Sequence, residues 1–510
     1  MNLTACSALS RSRIPFTVVL LSSTALPFSA KAQIGFIHST GGPVVTAANS
    51  NSTWHAQHAA NPTVLNFNGT YFMYFRGISN GQPSTIGVWT ASASGFNGVD
   101  WNQTPANNPI LTPDGSGFDA TGTYDPSAVV FNGQVYMYYM GTASGSSSIG
   151  LATSSDGLNF TKQGQVWGNG GTPMPVVSAQ DGKVYLFYTQ GTSNGGWEYW
   201  VTSSSDGVHF GPGQRAFSPS SAAGSFDQQS TITGRIWYES PYYYMTYGGS
   251  PTCSDYPEGI GLARSQDLYS WERYPNNPVL LRGPAGGWDE AAVWSGSLQK
   301  INGQYFLWYE AAGTNAGAGS GVSSNARNNC YGDYSSNSWS QIGVATGFSG
   351  LNLSDWTPSN TIEPNTNYTL TAQHSGQCLD VYAGDRSNGG NVDQYTCLNG
   401  DPAQQWRFTN VHDGFYQISD VNAGTSGTEV LDVYGLSVQP GANVDQYQWY
   451  GSTNQQWLMV PLGNALYQII NRNSGDTLEV YGQTQATPGN VDQWPWLGLA
   501  NQTWKLAPSQ

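Results

Sequence analysis

The 510-residue chain is poor in charge. Asp, Glu, Lys and Arg make up 10% of it, and 17 basic residues face 32 acidic ones for a formal net charge of −15. Phosphate-bearing partners reward the opposite sign, so nucleic acid and anionic membrane surfaces are excluded as partners. Long apolar runs are also lacking. Nothing beyond residue 32 approaches the roughly 18 apolar residues that a membrane helix needs. Helical periodicity is nearly absent over the same stretch, which argues against an α-rich fold. Cysteine is scarce, at five residues. None stands in a C-x-x-C or His-rich spacing, so no zinc site, metal or cofactor is expected.

The first 32 residues have the pattern of a secretory signal. Arg11 and Arg13 precede an apolar run over residues 14–26, and Ala30-Lys31-Ala32 offers a small-x-small cleavage site. A buried N-terminal helix is the alternative reading of that run. Its removal takes away Cys6 and three positive charges but no negative ones, leaving a more acidic, secreted (extracellular or periplasmic) chain with four cysteines. An even count in an oxidising compartment favours disulfides. Cys378 and Cys397 lie within one repeat and are expected to pair, which leaves Cys253 for Cys330. The chain is correspondingly rich in Gly (63), Tyr (30) and Trp (19). With abundant Asn, Ser and Thr, this gives a neutral, aromatic, hydroxyl-rich surface suited to an uncharged polar ligand such as a sugar.

Two internal repeats organise the chain. Over residues 35–360 a unit recurs five times: an apolar strand, a tight turn, an aromatic strand, then a third strand. The first runs from Pro62-Thr63-Val64-Leu65 through Asn68-Gly69 to Tyr71-Phe72-Met73-Tyr74-Phe75. The second runs from Ser127-Ala128-Val129-Val130 through Asn132-Gly133 to Tyr136-Met137-Tyr138-Tyr139. Asn-Gly between alternating runs is a strong hairpin signal, because both turn residues need positive φ. Five such units predict an all-β, five-bladed β-propeller; a β-sandwich would not explain the fivefold recurrence. The second repeat fills residues 366–510 with a period of about 50 residues, too short for any one copy to bury its apolar face alone. Its copies read Leu379-Asp380-Val381, Asn391-Val392-Asp393-Gln394 and Gln404-Gln405-Trp406; then Leu431-Asp432-Val433, Asn443-Val444-Asp445-Gln446 and Gln455-Gln456-Trp457; then Leu478-Glu479-Val480, Asn490-Val491-Asp492-Gln493 and Gln502-Thr503-Trp504.

The triple Gln-x-Trp pattern resembles the ricin-type β-trefoil lectins, also called carbohydrate-binding module family 13. The resemblance implies three shallow sugar pockets, each built from an acidic residue and an aromatic: Asp380 with Tyr395, Asp432 with Tyr447, and Glu479 with Trp494. A carboxylate accepts two hydroxyl hydrogen bonds while a ring covers the apolar sugar face.

Tyr124-Asp125-Pro126-Ser127 and Ile260-Gly261-Leu262-Ala263 followed by Trp271-Glu272 resemble the five-bladed glycoside hydrolases, family 43 first and family 32 behind it. Those enzymes carry three acidic residues on the innermost strands of the first three blades. Here Asn61 stands in the first such position, Asp125 in the second, and no acid in the third, where the chain reads Thr172-Pro173-Met174-Pro175. Phe118-Asp119, Phe226-Asp227 and Trp288-Asp289 recur between blades, which points to structure. Asp125 and Glu290 are not shared and are the leading catalytic candidates, with Asp289 and Asp227 behind them. Propeller topology puts His55, His58, Arg76, Gln190 and Glu310 on the same face as substrate-binding candidates. The expected function is a secreted, monomeric glycosidase acting on polysaccharide or oligosaccharide of the arabinan, arabinoxylan or galactan type through paired carboxylates. The alternative is a non-catalytic carbohydrate-binding protein with a degenerate propeller.

Overall fold

Asn68, Asn132 and Asn302 adopt φ of 49°, 49° and 50°, and the glycines that follow them adopt 78°, 73° and 85°. These left-handed pairs fold the first two strands of three units into tight hairpins, as their sequence requires. In the second turn of three units a Ser-Asp pair does the equivalent work. The Asp156 carboxylate, for example, accepts from the Leu158 and Asn159 amides at 2.8 Å each, and Asp206 and Asp267 repeat the arrangement. The computed structural model describes residues 34–509 except 48–53, 80, 104–107, 295, 314–339, 355, 357–361, 364 and 424–428. The signal-like segment therefore lies outside the described residues. Apart from short 3-10 turns, the regular structure described is all strand, and no helix is long and apolar enough to cross a membrane.

Five antiparallel units form the first part. They begin with the strands His58–Phe67, Gly122–Phe131, Gly171–Val177, Ser230–Glu239 and Ala292–Trp294, and each of these pairs with the second strand of its own unit. The first strands of the five blades neighbour in turn from the first blade to the fifth, and His58–Phe67 returns to the fifth blade through its strands Gln304–Ala312 and Ser340–Gly347, which is the propeller arrangement. The fifth blade is finished from the other end of the chain: Phe36–His38 pairs antiparallel with Ser340–Gly347. A single parallel pair, His58 with Ser340, stitches the first blade to the fifth. Aromatic residues of the second strands fill the gaps between blades, as where Phe72, Tyr74, Met137 and Tyr139 pack together.

The second part begins at the strand Asn367–Ala372 and is one twelve-stranded sheet. Its threefold repeat is visible in three equal bonds: the indole N–H of Trp406, Trp457 and Trp504 donates to the carbonyl of Leu379, Leu431 and Leu478 at 3.1, 3.0 and 2.9 Å. All three indoles are buried in one apolar cluster with those leucines, so each unit completes its core only with the others. Around the axis the amides of Asn391, Asn443 and Asn490 bond in a closed ring at 2.9–3.1 Å. Cys378 and Cys397 are bridged. Cys253 is half of a disulfide, but its expected partner Cys330 lies outside the described residues.

Candidate functional site

The first strands of four blades break register at one equivalent place, between Ala60 and Thr63, Tyr124 and Ser127, Gly171 and Met174, and Ile232 and Gly234. At each break one non-glycine residue takes a left-handed backbone: Asn61 (φ 51°), Asp125 (48°), Thr172 (48°) and Thr233 (41°). That conformation is costly, most of all for β-branched threonine. A bulge re-aims a side chain, and here all four residues line one cavity of about 460 Å³. Asp125 is the one acid among the four.

Two more carboxyl groups reach the same cavity. Glu310, on the strand Gln304–Ala312, is 1% exposed. Its Oε2 accepts from the Asn61 amide at 3.0 Å. Burial pushes Glu310 up to about 7 against the opposing pull of Arg76, with Asp125 adding to the rise. Asp255 sits in the loop after the strand Tyr242–Ser250; its Oδ1 accepts from the Trp294 indole at 2.6 Å and the Tyr256 amide at 2.8 Å. Burial raises Asp255 as well. Asp125 is raised by burial, opposed first by Arg76 and then by Arg235. Arg76 lies over the Tyr124 ring, with Nη1 3.9 Å from Asp125 Oδ1. Arg235 is fully enclosed and ties three blades together, donating to the carbonyls of Gly234, Pro126 and Asn61 at 2.7, 3.0 and 3.2 Å. The half-exposed Trp197 and the buried Trp294 also line the cavity and supply apolar surface.

Of the residues singled out in the sequence, Asp125, Arg76, Gln190 and Glu310 line this cavity. Gln190 donates to the Asn169 carbonyl at 3.1 Å. His55 instead packs against Trp54, Phe75 and Trp89. His58 lies beside the Ser340 hydroxyl, at 3.1 Å, and that hydroxyl also bonds Glu310. Burial lowers His55 to about 4 and His58 to about 3, so both rings are neutral.

The other expected acids are elsewhere. Asp227 accepts from Arg273 at 2.8 Å and Tyr247 at 3.2 Å. Asp289 meets His38 at 3.0 Å and accepts from Tyr309 at 3.3 Å. Asp119 does the same with Lys162 at 2.6 Å and Tyr139 at 3.0 Å. In all three blades the carboxylate braces a tyrosine twenty positions on in the second strand, so the shared Phe/Trp-Asp pair is a structural part of the blade. Glu290 accepts from the Gly286 amide and does not line the cavity. The structure thus brings Asp125 together with Glu310 and Asp255, and not with Glu290 or Asp289. Asp255 was missed, although it occupies a loop after a second strand, the same topological position that singled out Cys253.

In the trefoil, Asp380, Asp432 and Glu479 are buried, while Tyr395, Tyr447 and Trp494 are 37%, 38% and 37% exposed. Each acid lies directly across from the residue two before its aromatic, so acid and ring share one face. Burial raises Asp380 and Asp432 to about 6, and it raises Glu479 too. Asn454 donates to Asp432 at 2.8 Å, and Asn501 and Gln502 donate to Glu479 at 3.3 and 2.9 Å. The first repeat has Ala403 where the others have these asparagines.

Residues 354–447, 402–494 and 453–510 match the ricin-type beta-trefoil lectin domain-like family, and the C-terminal part of the chain carries that fold. No curated protein matches the chain. Among solved structures, the designed threefold-symmetric protein ThreeFoil is 40% identical over 28% of this chain and 97% of its own, with a TM-score of 0.26. An exo-β-1,3-galactanase from Clostridium thermocellum is 19% identical, covering 93% of this chain and 100% of its own, with a TM-score of 0.42. A family 43 β-1,3-galactosidase is 14% identical over 93% and 94%, with a TM-score of 0.37.

Proposed function

We propose that the chain is a secreted glycoside hydrolase that acts on neutral polysaccharide of the arabinan, arabinoxylan or galactan type and is held at its substrate by the trefoil. The observation that carries this reading is the convergence of Asp125, Asp255 and Glu310, from three different blades, on one open hollow. The hollow falls within the usual size range of small-ligand sites, about 300–1,000 Å³.

Glycosidic cleavage needs one protonated carboxyl to deliver a proton to the leaving oxygen and one ionised carboxylate across the sugar. Glu310 is suited to the first role, because burial keeps it protonated up to about 7. Asp125 is suited to the second: burial raises it, but two cations, Arg76 and Arg235, oppose that rise and stand ready to pair with its charged form. Asp255 completes the acidic lining of the hollow. Trp197 offers a ring for the apolar face of a pyranose.

The test is release of reducing sugar from aryl glycosides and from arabinan, arabinoxylan and galactan. Glu310→Gln and Asp125→Asn should each lower kcat by about 10²-fold or more while polysaccharide pull-down stays intact. If no substrate is turned over but binding persists, the propeller is a carbohydrate-binding domain without catalysis. The absence of an acid at Asn61 and Thr172 is the observation that favours this second reading.

A further inference from the structure

Each trefoil unit holds a second acid that the lectin resemblance does not assign. Asp393 lies directly opposite Asp380, Asp445 opposite Asp432, and Asp492 opposite Glu479. Directly opposed residues of an antiparallel pair project from the same face, so the two carboxyl groups of each unit face each other on the side that also carries the exposed ring of Tyr395, Tyr447 or Trp494. The second acids are 2%, 2% and 1% exposed. Both carboxyl oxygens of Asp393 and Asp492, and Oδ1 of Asp445, are buried without a hydrogen-bond partner. A buried carboxylate normally recruits donors, and the donors present are spent on the first acid: Asn454 on Asp432, and Asn501 and Gln502 on Glu479.

Two carboxylates in contact in a sheltered site do not both ionise. Burial, reinforced by the facing acid, lifts Asp393, Asp445 and Asp492 to about 7. Around the first pair Asp401 and Asp420 add negative field, and Arg386 opposes it at Asp420. In the second and third units the groups bonded to the first acid are the neutral amides of Asn454 and Gln455, and of Asn501 and Gln502.

We propose that each trefoil pocket takes its neutral sugar with one proton shared between the two facing carboxyls, so that capture of polysaccharide is proton-linked and is lost as the medium turns alkaline. The proton gives the pocket a buried O–H donor beside a carboxylate acceptor, on the side that carries an aromatic ring. That set matches a sugar's alternating acceptor and donor oxygens. When the proton leaves, two like charges face each other and only acceptors remain.

The proposal rests on the trefoil being a sugar-binding domain, and the experiment separates the two claims. The whole chain and the triple variant Asp393→Asn, Asp445→Asn, Asp492→Asn, whose amides keep a donor at any pH, are compared in retention on arabinogalactan resin and in thermal midpoint. The range is about pH 5 to about pH 8.5. Wild-type retention should fall roughly tenfold per pH unit above about 7, while the variant's stays flat. In the folded state these carboxyls hold a proton that the unfolded chain releases. Their contribution to stability is therefore complete below the ordinary carboxyl range and is lost as pH rises through about 7. The wild-type midpoint should accordingly fall relative to the variant's across that window. Parallel midpoint curves overturn the shared proton. So does binding by wild type alone at every pH, which would make the charge itself the ligand, or binding that strengthens with pH, which would indicate a cationic sugar. If neither protein binds at any pH, the lectin reading fails, and the midpoints still decide whether a proton is shared. If the variant does not fold, the wild-type retention profile decides alone, and a flat one overturns the proposal.

Discussion

The three acids of the propeller cavity differ in how the sequence reveals them. Asp125 is legible because it is an unshared acid at a position that the other described blades fill with Asn61, Thr172 and Thr233. Glu310 is legible as a residue of the right face, but its role depends on burial, and strand alternation does not report how completely a side chain is enclosed. Asp255 belongs to an irregular loop without a counterpart in other blades, so no repeat exposes it. Glu310 controls the expected pH response. As the proton donor it must be protonated, so kcat should decline as pH rises through about 7. A Glu310→Gln variant should lose this alkaline limb together with most of its activity, and stopped assays on an aryl glycoside would show it. Asp125→Asn should leave stability nearly unchanged, because Asn tolerates the left-handed backbone. Asp125→Val, which places a β-branched residue at φ 48°, should cost about 1–3 kcal/mol in urea unfolding.

At the scale of the element, the repeated Asp is a brace. Asp119, Asp227 and Asp289 each hold a second-strand tyrosine together with a basic side chain from elsewhere: Lys162 and Arg273 from the outer strand of the same blade, and His38 from the N-terminal strand. His38 also bonds the Leu281 carbonyl at 2.7 Å, so the closing strand is fixed to two blades. The recurrence was visible in the sequence, and it pointed to structure. The partners were not visible, because a lysine, an arginine and a histidine at unequal distances form no pattern. Nor was the closing strand, which at three residues is too short to show period-two alternation. Removing one brace takes an acceptor from the tyrosine and one of the cation's partners; at Asp119 the cation, Lys162, still holds Asp114 and the Thr112 carbonyl, both at 2.7 Å. Asp119→Ala should therefore lower stability by about 1–3 kcal/mol, mainly through the unsatisfied phenol, measured by urea unfolding. The cavity acids lie on other elements, so turnover per folded molecule should stay close to wild type.

At the scale of the molecule, the two parts are joined through a buried contact. Arg472 of the trefoil donates through Nε and Nη2 to the two oxygens of Glu258 in the propeller, both at 2.8 Å, and its guanidinium covers the Phe415 ring at 4.4 Å. Asp413 accepts from the Phe226 amide at 2.9 Å and the Ser225 hydroxyl at 3.2 Å. Ile37 and Leu281 of the propeller pack on Phe415, Leu458, Val460 and Ile470. A trefoil built from equal repeats predicts none of this, because the contact is made where one repeat departs from the others: Arg472 takes the place held by Gln373 and Val421. Arg472→Met leaves Glu258 buried and ionised with no bidentate partner, and should destabilise the chain by about 3–5 kcal/mol. It should also split the calorimetric transition into separate trefoil and propeller events. Two like-sized apolar groups can replace a buried ion pair at little net cost, but the buried Arg282 also faces Glu258, so Glu258→Leu with Arg472→Met should recover only part of the lost stability. If the single variant unfolds like wild type, the ion pair is not what joins the two parts, and the apolar cluster around Leu281 carries the contact together with the Asp413 bonds.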